Sequence, residues 1–97
     1  MTRGEAPGVV LVVEHDVLRR IAVAGELRRG GLEVFEAMDA TEAMTILERM
    51  AVDVLLTDVN LVDGEPLARW VRERELPTRV CWIVTPESEL SGRRLQS

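Results

Sequence analysis

The side chains with chemistry to offer cluster in three places: Glu14-His15-Asp16, the segment from Asp58 to Asn60, and Thr85. Each cluster closes an apolar run, GVVLVV before Glu14, VDVLLT before Asp58 and RVCWIV before Thr85. If the first and third runs are neighbouring strands, Glu14 and Asp58 end side by side. With a carbonyl or amide from the Asn60 loop they form an oxygen site suited to Mg²⁺, which takes hard ligands and keeps several waters. The alternative is a pair of solvated carboxylates at strand ends. His15 is the single histidine. It reads either as a surface residue opening a helix or as a borderline ligand better matched to Zn, Mn or Ni. Thr85 either ends a strand or donates its hydroxyl to an anion held above the sheet.

Other chemistries lack their residues. No GxxxxGK[ST] occurs, and Gly30-Gly31 follows a helix instead of joining strand to helix, so no phosphate-cradling loop is expected. GxSxG and HExxH are also absent. A lone cysteine, Cys81, excludes an internal disulfide and a cysteine zinc cluster, and its apolar strand reads as an inert thiol site. Three aromatics (Phe35, Trp70, Trp82) are too few for a base-stacking ladder, and the two tryptophans read as core. Arg72, Arg74 and Arg79 read as a solvated face. The 12 basic residues are all arginine, against 17 acidic ones. The net charge of −5 disfavours nonspecific nucleic-acid binding.

The elements that must position these residues follow from periodicity. Gly8–Val13 is a β-branched run of the kind buried on both faces of a parallel sheet. Asp16 can cap a helix that turns Leu18, Ile21, Ala22 and Gly25 inward and ends at Gly30-Gly31. Residues 32–36 alternate as a half-buried strand. Asp39 with Glu42 resembles a capping box, and the helix behind it faces Ala43, Met44, Leu47 and Met50 inward. Val52–Thr57 is a third strand ending at Asp58. Pro66 fits the first turn of a third helix running towards Leu76, and Arg79–Thr85 is a fourth strand. Residues 1–7 lack periodicity and are expected to fray, and residues 86–97 form a short tail or helical stub. The β-α rhythm implies a parallel sheet with helices on both faces and function at the carboxyl ends of its strands. The 97 residues make one domain. The longest strictly apolar runs, Val9–Val13 and Val80–Val84, are far short of a membrane span of ~18 residues. The start lacks the features of a signal peptide, so a cytoplasmic protein is expected.

The phrases VVLVVEHDVLRR, GLEVFEAMDATEAMTILE, VDVLLTDVNLVDGEPLARWVRE and RVCWIVT resemble the receiver domain of bacterial two-component response regulators, over residues 8–85. In style they are similar to single-domain receivers of alphaproteobacteria. The resemblance implies a flavodoxin-like α/β fold with strand order 2-1-3-4-5. It implies a phosphoacceptor aspartate after strand three, which falls on Asp58, fed by a histidine kinase or phosphotransfer protein. The acidic pair after strand one falls on Glu14 and His15, the Mg²⁺-binding carbonyl on Asn60, and the hydroxyl that senses the phosphoryl group on Thr85. Phosphoryl transfer of this kind needs in-line geometry and a cation to absorb charge.

Four departures stand out. His15 replaces the second carboxylate, so Mg²⁺ is expected to bind weakly. The family's lysine has no counterpart, since the sequence has no lysine. The loop from Asp58 to Asp63-Gly64 is two residues shorter and lacks its proline. The chain ends soon after strand four, leaving an expected order of 2-1-3-4 with an apolar edge strand, and hence a homodimer through strand four or the tail. The leading reading is a receiver phosphorylated on Asp58 that signals by protein contact, with no catalysis beyond self-dephosphorylation. The alternatives are a non-phosphorylated pseudo-receiver acting as an interaction module and, last, a Mg²⁺-dependent phosphohydrolase.

Overall fold

Apolar, β-branched stretches separated by well-capped helices build a four-stranded parallel sheet in the order β2-β1-β3-β4. The structure, a computed structural model, describes residues 8–84. The expectations for residues 1–7, for Thr85 and for residues 86–97 lie outside the described residues. Along the chain come β1 (Val9–Val13), α1 (Val17–Arg29), β2 (Glu33–Ala37), α2 (Ala40–Arg49), β3 (Val54–Asp58), α3 (Gly64–Glu73) and β4 (Arg79–Ile83). The flavodoxin-like four-strand order expected from the sequence is the order observed.

β1 is central, and its alternate side chains split the core into two layers. Leu11 and Val13 join Ala43, Leu47, Leu67 and Val71 beneath α2 and α3. Val10 and Val12 join Ala24 and Val34 beneath α1. Leu11, Leu55 and Leu67 are fully buried, each contributing about 2–3 kcal/mol through removal from water. Asp53, just before β3, locks the start of the sheet: its Oδ2 accepts from the Val9 amide at 2.8 Å.

The helix signals hold at their N-termini. Asp16 Oδ1 accepts from the Arg19 amide at 2.9 Å, capping α1. Asp39 Oδ1 accepts from the Glu42 amide at 2.9 Å, while Glu42 Oε1 accepts from the Met38 amide at 2.8 Å, a reciprocal cap for α2. α1 ends with the Gly31 amide donating to Arg28 O and the Leu32 amide to Leu27 O, and Gly31 takes φ 90°.

Helix phase departs from expectation. Leu18 is 80% exposed and Ile21 55%, while Ala24 is buried and Val23 and Leu27 pack beside it. Two arginines hold this rotation. Arg20 Nη1 donates to Glu14 O at 2.9 Å, and Arg28 reaches Glu36 Oε2 at 3.0 Å and Val34 O at 2.9 Å. Met50 is also exposed, because as the C-cap of α2 it has left the helix, with φ −146°. α3 stops at Glu73, short of Leu76. Glu75 adopts φ 55°, with its amide on Arg72 O and the Leu76 amide on Val71 O, the same closure as α1 without the glycine. Trp70 is half-buried against the core, but Trp82 is 39% exposed. A Cβ on Gly64 would meet the Trp82 ring at 3.1 Å, so the ring packs on the start of α3.

Candidate functional site

The carboxyl ends of β1 and β3 bring Glu14 and Asp58 together, because β1 pairs directly with β3 in register. Both are deeply buried, Glu14 4% and Asp58 3% exposed. The Glu14 backbone is held from two sides: its amide donates to Ala37 O at 3.0 Å and its carbonyl accepts from Arg20. Asp58 is the last residue of β3, and its Oδ1 accepts from the Asn60 amide at 2.6 Å. That bond fixes the plane of the carboxylate at the mouth of the sheet.

The two carboxyls hydrogen-bond to each other. Burial, then that hydrogen bond, then the Asp58 charge push the Glu14 pKa up to about 7, against weaker opposition from the Asp16 amide and Arg19. At neutral pH Glu14 is therefore partly protonated. A cavity of about 160 Å³ opens over them, lined by Glu14, His15, Asp16, Arg19, Asp58, Asn60 and Leu61. A second cleft adjoins it, sharing His15, Asn60 and Leu61 and extending along Met38, Asp39, Val62 and Asp63.

The expected residues Glu14, His15, Asp58 and Asn60 are thus brought to one cavity. His15 is exposed and lines both hollows. Among the described residues, no three His, Cys, Asp or Glu side chains are grouped to hold a metal ion. The donor chemistry still fits Mg²⁺. Two buried carboxylates, with Asn60 lining the same cavity, supply the few hard oxygens this cation takes before completing its shell with water and substrate oxygens.

Arg19 also lines the cavity, with Nη1 4.0 Å from Glu14 Oε1. The signal for it lay three residues past the cap: Asp16 starts the helix at the strand end, so the first turn borders whatever sits there.

A family model described as the response regulator receiver domain matches residues 10–94. The chain is 38% identical over 89 residues to the transcriptional regulatory protein CutR of Streptomyces coelicolor, covering 87% of this chain and 39% of CutR. It is 31% identical over 77 residues to the sensor histidine kinase RcsC of Salmonella typhimurium, covering 77% of this chain and 8% of RcsC. The chain therefore spans well under half the length of these curated relatives. The chemotaxis response regulator CheY4 of Vibrio cholerae superposes with a TM-score of 0.74 at 23% identity, over 93% of this chain and 98% of that one, a likeness of fold.

Proposed function

The chain belongs to the response regulator receiver domain family, and from that premise we propose that it accepts a phosphoryl group on Asp58 from the phosphohistidine of a histidine kinase or phosphotransfer protein. The observation that carries this reading is the burial of Glu14 and Asp58 side by side at the ends of the two central strands, beneath an open cavity. An oxygen of the Asp58 carboxylate attacks phosphorus. The donor's P–N bond breaks as the O–P bond forms, and its electron pair returns to the imidazole, which takes a proton from water. The Asn60 amide orients the nucleophile through Oδ1. Glu14, Asp58 and the Asn60 carbonyl are the groups that would hold Mg²⁺, which when bound offsets charge on the transferring oxygens. Glu14 joins that set by releasing its proton.

An apolar rim supports docking of a protein donor. Met38 and Val62 line the adjoining cleft and are exposed, as are Leu18 and Ile21 on α1 and Val59 directly after Asp58. The chemistry stops at the aspartyl phosphate and its hydrolysis, and the output is protein contact, not nucleic-acid binding. No helix among the described residues is long and apolar enough to cross a membrane, and we place the protein in the cytoplasm. We also read it as a homodimer paired through β4.

The second reading, an unphosphorylated interaction module, is favoured by one observation: no third acidic or histidine side chain joins Glu14 and Asp58 in a metal-holding group among the described residues. Incubation with a phosphotransfer domain labelled on its histidine separates the two. Radiolabel moving to this chain, and not to Asp58→Asn, supports phosphoacceptance. Stable complex formation without transfer supports the module.

A further inference from the structure

We propose that Arg19 is a phosphoryl-binding residue, its guanidinium engaging the oxygens of a phosphoryl group on Asp58, an inference that rests on Asp58 being the acceptor. The cavity over Asp58 also carries the Glu14 and Asp16 carboxyls. A phosphoryl group adds further negative charge to this already acidic hollow. A cation shared between Glu14 and Asp58 would neutralise the carboxylates and leave the outer phosphoryl oxygens in need of donors. Among the described residues that line the cavity, Arg19 alone has a permanent positive charge.

The frame of α1 places it there. The Arg19 amide is bound to the capping carboxylate of Asp16 at 2.9 Å, so the residue is fixed in the first turn, where the helix meets the site. The neighbouring Arg20 is directed elsewhere, to Glu14 O and to Glu36 Oε1 at 3.5 Å. At 4.0 Å the Arg19–Glu14 contact is a charge contact and not a hydrogen bond. The Arg19 side chain is about one-third exposed, 35%, so its head borders the solvent from which a phosphodonor arrives. A planar guanidinium offers forked donors matched to two phosphoryl oxygens. The chain contains no lysine, so any side-chain cation for this role is an arginine or its histidine.

The test compares the wild type with Arg19→Gln and Arg19→Lys, using acetyl phosphate with Mg²⁺ as donor. In that step the P–O bond to the acetyl group breaks, acetate leaves with the electron pair, and the Asp58 oxygen–phosphorus bond forms. The labelling rate is expected to fall about 10- to 100-fold in Arg19→Gln, as for loss of one hydrogen bond to a charged group, with partial recovery in Arg19→Lys. Calorimetric titration with Mg²⁺ is expected to move the other way. Removing a positive charge beside Glu14 tightens the cation, which a merely structural role would not do. Unchanged labelling in Arg19→Gln overturns the proposal. So does parallel weakening of labelling and Mg²⁺ binding without rescue by lysine. If the wild type itself takes no label, Asp58 phosphoacceptance fails, and beryllofluoride binding followed by ¹⁹F NMR decides the role of Arg19. Binding by the wild type and not by Arg19→Gln upholds it, while equal binding by both, or by neither, overturns it.

Discussion

Glu14 links the chemistry of the site to the stability of the chain. Its carboxyl holds a proton up to about pH 7 in the fold, against an ordinary value of 4.5. The folded state therefore binds more protons than the unfolded chain between these values, and stability falls as pH rises through them. The contribution is fully present below about pH 4.5 and is lost by about pH 7, to the extent of about 3 kcal/mol at most. Glu14→Gln has no proton to lose there. Urea denaturation at pH 5 and pH 8 should show a drop for the wild type and a smaller one for Glu14→Gln, and equal drops would remove Glu14 as the cause. Glu14 and Asp58 were legible because each is the first acidic side chain met where a long apolar run ends. Asn60 and Thr85 also stand out at strand ends, while their particular roles came from the family resemblance. For Arg19 the cap at Asp16 gives the turn but not the side, since which residues of that turn face the cavity depends on how α1 is rotated against the sheet.

Between residues and fold, the helix ends show what local patterns encode and what they leave open. Asp16 and the Asp39–Glu42 pair announce helix starts, because a capping bond needs only residues close in sequence. The inward face of α1 is ambiguous in the sequence because two apolar stripes overlap on the helix. Leu18, Ile21 and Gly25 compete with Val23, Ala24 and Leu27, and long-range bonds of Arg20 and Arg28 to Glu14, Val34 and Glu36 select the second. The end of α3 was placed too late for a related reason. Gly31 marks the end of α1, but Glu75 takes the left-handed position after α3 without a glycine to signal it. A side chain at φ 55° is strained, by roughly 1–2 kcal/mol. Glu75→Gly should therefore raise stability by about 0.5–1 kcal/mol despite the added freedom of the unfolded chain. Thermal melting reads this directly, and a lowered midpoint would show that the Glu75 side chain contributes more than its backbone costs.

At the scale of the molecule, the two sheet edges are treated differently. On the β2 side, Arg28 donates to Val34 O and pairs with Glu36, so a charged side chain covers the strand. On β4, the outermost strand among the described residues, Trp82 and Val84 are exposed, and Cys81 and Ile83 are half-buried. An apolar outer strand is a template for another strand, and a second copy presents the same one. Light scattering at micromolar concentration should give twice the 10.9 kDa of one chain, and Trp82→Lys should shift it towards the monomer. A monomeric wild type would show that one chain satisfies its own edge. The order of strands was legible from the β-α rhythm and the resemblance together, whereas the covering of the edge depends on surfaces that no local pattern specifies. The central claim, that Asp58 is a phosphoacceptor, is tested most directly by the intact mass of the whole chain after incubation with acetyl phosphate and Mg²⁺. The wild type is expected to gain the mass of one phosphoryl group and Asp58→Asn to gain none. An unchanged wild-type mass, or an equal gain in Asp58→Asn, would contradict it.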